Sequence, residues 1–92
     1  NRYAYFISEI TVSQAQVFEK NPPGMFVQEV QNKAWQVAGL LPGDLILSWS
    51  GMSKHPTPFA FERRVSKGKN EGNIVLQILR GGQKQELTLA AE

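Results

Sequence analysis

Ninety-two residues, 41% hydrophobic and 20% charged, describe one small globular unit rather than a disordered or fibrous chain, with little room for a scaffold around a buried active site. The absence of cysteine excludes a disulfide framework and any thiolate-ligated metal or redox centre, and a single histidine, His55, leaves no material for a histidine-rich metal site or a catalytic triad. A formal net charge of +2 is too slight to argue for nucleic acid.

The longest apolar stretch near the start, residues 3–7, is five residues, far below the roughly 18–20 that cross a bilayer, so direct membrane insertion is not expected. No charged-then-apolar-then-small pattern marks a signal peptide, and the chain opens on Asn1; it reads as one domain, residues 1–92, cut from a longer protein.

Residues 3–11 (YAYFISEIT) are rich in aromatic and β-branched side chains and predict a strand. Residues 12–20 read as a loop or one weak helical turn before the breaker Asn21-Pro22-Pro23-Gly24. Residues 25–30 (MFVQEV) predict a second strand with Met25, Val27 and Val30 inward. Residues 31–40 predict a short helix: Asn32 can cap it, Ala34, Trp35 and Ala38 form its apolar face, and Gly39 ends it. Leu41-Pro42-Gly43-Asp44 is a tight turn, because proline presets φ and glycine accepts a positive φ. Residues 45–49 (LILSW) form a nearly continuous apolar run, the pattern of a strand buried on both faces.

Ser50-Gly51 turns the chain, and Pro58 stands where a helix begins, with Thr57 as its cap. Phe61 and Val65 lie four apart and share a buried face, while Glu62, Arg63, Arg64 and Lys67 are polar; residues 68–72 close the helix. Ile74, Leu76 and Ile78 alternate, Gly81-Gly82 turns, and Leu87 and Leu89 alternate back, which is a β-hairpin. So many strands in so short a chain predict a mainly β fold, a small partly closed barrel or curled sheet capped by two helices.

Four segments together resemble a PDZ domain of the bacterial, permuted kind: GMFVQEV from Gly24 to Val30, AGLLPGD from Ala38 to Asp44, LILSWSG from Leu45 to Gly51, and ILRGG from Ile78 to Gly82 followed by Leu87-Thr88-Leu89. The match runs in order from Gly24 to Leu89, roughly seventy of the 92 residues. The hairpin-ending order is similar to that of the PDZ domains of envelope proteases, the high-temperature-requirement serine proteases and the site-2 metalloproteases. The resemblance implies a partly open PDZ-like β-barrel of five to six strands with two short helices, located in a bacterial periplasm or cell envelope and lying in one chain with a protease domain. It implies no cofactor and no chemistry of its own.

The implied function is recognition of an extended peptide or a protein C-terminus, added as a strand beside residues 7–10 and lying against the helix from Pro58 to Ser66. In the family a loop offers backbone N–H groups to a carboxylate, and an exposed strand edge supplies ladder bonds. The corresponding residues are Tyr3, Ala4, Tyr5 and Phe6, leading into Ile7 and Ser8, a stretch that reads equally as a plain edge strand or a disordered terminus. Tyr5 replaces the glycine of that pattern, a departure that bears on carboxylate capture if the position needs a positive φ. The other wall is the second helix, with Pro58, Glu62, Val65 and Ser66 toward the groove. Val65 beside Phe6 would form an apolar pocket, with ordinary core packing of the two as the equal alternative, and Glu62 would favour a polar or basic ligand residue.

The alternative is a PDZ scaffold domain of a secretion or assembly protein that contacts a folded partner. Trp35 decides part of that choice: packed on the core it is structural, exposed it marks a contact surface. Trp49 is core or groove floor. Asp44 reads as structural, its carboxylate accepting nearby backbone N–H groups. His55 reads as a solvated loop residue, and Arg63, Arg64, Lys67 and Lys69 as a solvated helix face or, alternatively, a site for an acidic partner or phospholipid headgroup. No phosphate-binding glycine loop and no G-x-S-x-G elbow is present, and the serines lack a base partner, which argues against an enzyme.

Overall fold

The computed structural model describes residues 4–14, 24–52, 56–66 and 73–90. Among these residues eight elements follow one another: β1 (Ala4–Ile7), β2 (Ile10–Gln14), β3 (Met25–Val30), α1 (Lys33–Ala38), β4 (Leu45–Trp49), α2 (Pro58–Ser66), β5 (Ile74–Arg80) and β6 (Gln83–Leu89). The six strands form one antiparallel sheet in the order of the chain, β1-β2-β3-β4-β5-β6. The sheet is open, with β1 and β6 at its two edges. The mainly β architecture with two short helices is therefore as the sequence predicts; among the described residues the sheet is open, with no pairing between β1 and β6.

The stretch predicted as one strand over residues 3–11 is two. Ser8 and Glu9 both take positive φ, 51° and 65°, and turn the chain between Ile7 and Ile10. The pairs Tyr5↔Val12, Phe6↔Thr11 and Ile7↔Ile10 complete the hairpin. Two positive φ values in a two-residue loop are the signature of a type I′ turn, which normally selects Asn and Gly. The conformation is held from outside: the backbone N–H groups of Gln31 and Asn32 donate to Glu9 O at 2.9 and 3.0 Å, and Asn32 Nδ2 donates to Ser8 O at 3.0 Å. Residues 12–14, predicted as loop or helix, belong to β2 and pair with β3.

Asn32 also caps α1, its Oδ1 accepting the N–H of Trp35, and Gly39 ends the helix at φ 109°. The helix, Lys33–Ala38, is shorter than the predicted residues 31–40, and Ala34 faces solvent. Trp35 is fully buried, with its ring 6.0 Å from that of Phe61 and its Nε1 donating to Ala90 O at 3.1 Å. Trp49 meets Phe61 from another side at 5.3 Å. Both indoles thus belong to the core, and Trp35 is no contact surface. Around this aromatic centre pack Ile7, Ile10, Val12, Met25, Val27, Leu40, Ile46, Ile74, Leu76, Ile78 and Leu89.

Two polar clamps tie the core together. Asp44, 1% exposed, accepts the backbone N–H of Leu41 at 3.0 Å, as its structural reading requires. It also receives both Nε and an NH2 group of Arg80, at 2.7 and 2.6 Å, and the same arginine donates to Gly39 O. The hydrogen bonds to Asp44 hold the Arg80 pKa above its ordinary value, so this fork-on-fork pair stays ionised on the arginine side. The second clamp corrects the reading of α2. Arg64, predicted on a solvated face, is buried, with Nε on Ser50 O at 2.9 Å and an NH2 group on Asn73 O at 3.1 Å. Its position three residues after Phe61 puts it on the inner side of the helix, where its charge neutralises carbonyl dipoles between β4 and β5. Lys67, Lys69 and His55 lie outside the described residues.

Candidate functional site

The candidate site is the border between β1 and α2. Among the described residues β1 is an edge strand, paired with β2 on one side only, and α2 packs against β1 and β2. The pair closing a two-residue hairpin loop exchanges both of its hydrogen bonds, so Ile7 and Tyr5 bond inward to β2. Ala4 and Phe6 then turn their N–H and C=O groups to the free edge. An edge of this kind accepts another extended segment.

Side chains alternate across the same strand. Ile7 is buried in the core with Ile10 and Val12, and Tyr5 lies two residues away, cross-strand from Val12. Tyr5 is therefore on the face that α2 covers, at the border of the core, and is 45% exposed. Phe6 is on the opposite face, cross-strand from Thr11, and is 62% exposed. Ile7, expected at the peptide, is a core residue, and Ser8 is the first turn residue rather than part of a docking strand. A ligand strand beside residues 7–10 is excluded by that turn; the edge open to one runs from Ala4 to Ile7. Tyr3 lies outside the described residues.

The helix wall follows from the register of α2. Thr57 Oγ1 accepts the N–H of Ala60 at 3.2 Å and starts the helix as predicted. Phe61 points into the core and Arg64 anchors one flank to Ser50 and Asn73. The opposite flank carries Pro58, Glu62 and Val65, one and two turns apart, with Ser66 beside them. Pro58 is buried, Val65 half-buried against the core, and Glu62 and Ser66 are exposed. Ser66 Oγ donates to Glu62 O at 2.9 Å, so its hydroxyl is spent on the helix itself. Phe59, exposed beyond this flank, carries no sequence signal that marks it; Arg63 stacks over its ring at 5.7 Å.

The expected pocket of Phe6 with Val65 is not assembled, because the two side chains lie on opposite faces of the sheet; Tyr5 shares the face of Val65. The expected carboxylate loop is also absent from residues 4–7, which are regular strand. Tyr5 has no positive φ, so no strain arises at the position where the family pattern has glycine. The left-handed backbone stands instead at Ser8 and Glu9, whose surroundings are filled by the junction of β3 and α1.

Among the described residues no group of three His, Asp or Glu side chains could hold a metal ion, and no helix is long and apolar enough to cross a membrane. No protein-family model, curated protein or solved structure matches the chain.

Proposed function

We propose that the chain is a non-catalytic, PDZ-like recognition module that binds extended peptide segments by strand addition at β1. The observation that carries this reading is the open edge from Ala4 to Ile7 alongside α2, with Tyr5 and the Pro58–Glu62–Val65 flank bordering it. Backbone bonds from Ala4 and Phe6 supply generic affinity, and Tyr5, Val65 and Glu62 supply selection: an apolar ligand side chain against Tyr5 and Val65, a basic or polar one near Glu62. With a regular strand in place of a loop of convergent amides, an internal segment fits this site better than a terminal carboxylate. From the sequence resemblance we place the module in a bacterial envelope protease, as its regulatory or substrate-binding domain.

A peptide-display screen followed by titration of the selected peptides tests this. Affinities in the micromolar range, about −8 kcal/mol, are expected for so small a contact. Phe6→Pro deletes an N–H that points to the free edge while leaving the β1–β2 ladder intact, and is expected to weaken binding about tenfold. Amidating the peptide C-terminus is expected to leave affinity unchanged. Selection of free C-termini only, lost on amidation, would overturn the internal-segment reading. A second reading, a scaffold domain docking a folded partner, draws on Val37 and Leu41, apolar and 89% and 49% exposed at the end of α1.

A further inference from the structure

We infer that the opposite edge of the sheet, β6, is a self-association surface that joins two copies of the chain into one continuous antiparallel sheet. β6 is an edge strand of seven residues, Gln83–Leu89, with no proline and with unbroken register against β5 from Arg80↔Gln83 to Ile74↔Leu89. Among the described residues no main-chain group pairs with its outer side. Neither a bulge nor a proline blunts it, so its charges alone decide what it can pair with.

Among the two-fold registers open to a second copy, those charges pair favourably in one. The two-residue loop Gly81-Gly82 makes Arg80 and Gln83 the closing pair, so Gln83, Gln85, Leu87 and Leu89 bond to β5. Lys84, Glu86 and Thr88 turn their N–H and C=O groups to the free edge. A second β6 pairing antiparallel must match these outward groups with each other, which permits a few two-fold registers. Centred on Lys84 or on Glu86, the two-fold sets like charges directly opposite. Centred on Gln85, it sets Lys84 opposite Glu86 of the second copy and Glu86 opposite its Lys84. Both residues lie on the outer face, where Gln77 Nε2 donates to Glu86 Oε2 at 2.8 Å and steadies the carboxylate. Gln85 then meets its own copy in a closely spaced, non-hydrogen-bonded pair, where two side-chain amides can bond. The same two residues that forbid the neighbouring registers complete this one, so the occupant is a second copy of the chain.

Sedimentation of the chain from about 10 µM to 1 mM is expected to show a weak monomer–dimer equilibrium, with a dissociation constant on the order of 0.1 mM for so short a contact. Lys84→Glu and Glu86→Lys, each on the exposed strand face, are each expected to weaken dimerisation about tenfold or more by setting like charges opposite. Mixing the two variants, or combining both substitutions in one chain, is expected to restore it. Under mild oxidation Gln85→Cys is expected to form a covalent dimer, whereas Lys84→Cys, offset from its own copy, is not. A chain that stays monomeric to 1 mM overturns the inference. So does a dimer indifferent to both charge reversals, or cross-linking of Lys84→Cys as fast as Gln85→Cys. Unchanged thermal melts of the variants separate these results from loss of fold.

Discussion

Two hairpins end this sheet, and both turn in two residues with positive φ. The C-terminal one uses Gly81 and Gly82, at 57° and 80°, and the N-terminal one uses Ser8 and Glu9, at 51° and 65°. The same geometry is thus specified in two ways. The glycines adopt it without steric cost, and a Cβ at either would meet no atom within 4 Å, so the turn is written locally. Ser8 and Glu9 resist it by about 1 kcal/mol each, and the turn is imposed by a remote residue, Asn32, together with two backbone N–H groups. The hairpin that carries the candidate site is therefore the one held by tertiary contacts.

The largest expected effect tests the clamp. Asn32→Ala removes the cap on Trp35 and the bond to Ser8 O together, and Asn32 is buried. A loss of about 2–3 kcal/mol is expected in urea unfolding, as the sum of a helix cap and one buried hydrogen bond. Native-state hydrogen exchange is expected to show a larger loss at the β1 and β2 amides than in β5 and β6. Uniform loss across all six strands would mean that Asn32 acts only through α1.

A middle effect tests the local turn. Gly81→Ala and Gly82→Ala are each expected to cost about 1 kcal/mol, from backbone strain alone, because the added methyl meets open space. Neither is expected to alter exchange in β1. A loss below the resolution of the unfolding curve would mean that this turn relaxes to another type.

This contrast accounts for what the sequence made legible. The Gly81-Gly82 hairpin, the Pro42-Gly43 turn, the Asn32 cap, the Gly39 stop and the alternation of Ile74, Leu76 and Ile78 are local signals, and each is found where predicted. The Ser8-Glu9 turn has no local signal: residues 3–11 read as one strand because the residues that bend it lie more than twenty positions away. The turn also sets the site, since the parity that puts Tyr5 on the α2 face and Phe6 on the other is counted from it. Arg64 departs from its sequence expectation for a different reason. Residue type alone sends a charge to solvent, whereas its spacing from Pro58 and Phe61 sets it on the buried side of α2. Which strands end as edges depends on the order of the whole sheet and is not readable from any one segment.

The smallest expected effect is the most discriminating. Glu9→Gly removes the left-handed strain but adds the conformational freedom of glycine to the unfolded chain, so the two terms nearly cancel; a net gain of about 0.5 kcal/mol is expected. The informative measurement is the same substitution in the Asn32→Ala background, as a double-mutant cycle by urea unfolding. If Asn32 forces the turn into its strained form, removing it lets Ser8 and Glu9 relax, and glycine then has little strain left to relieve. The gain should shrink toward zero or change sign. An equal gain in both backgrounds would mean that the turn keeps its left-handed backbone without the side chain of Asn32. The hold would then pass to the two N–H groups on Glu9 O, and with it the positioning of the β1 edge.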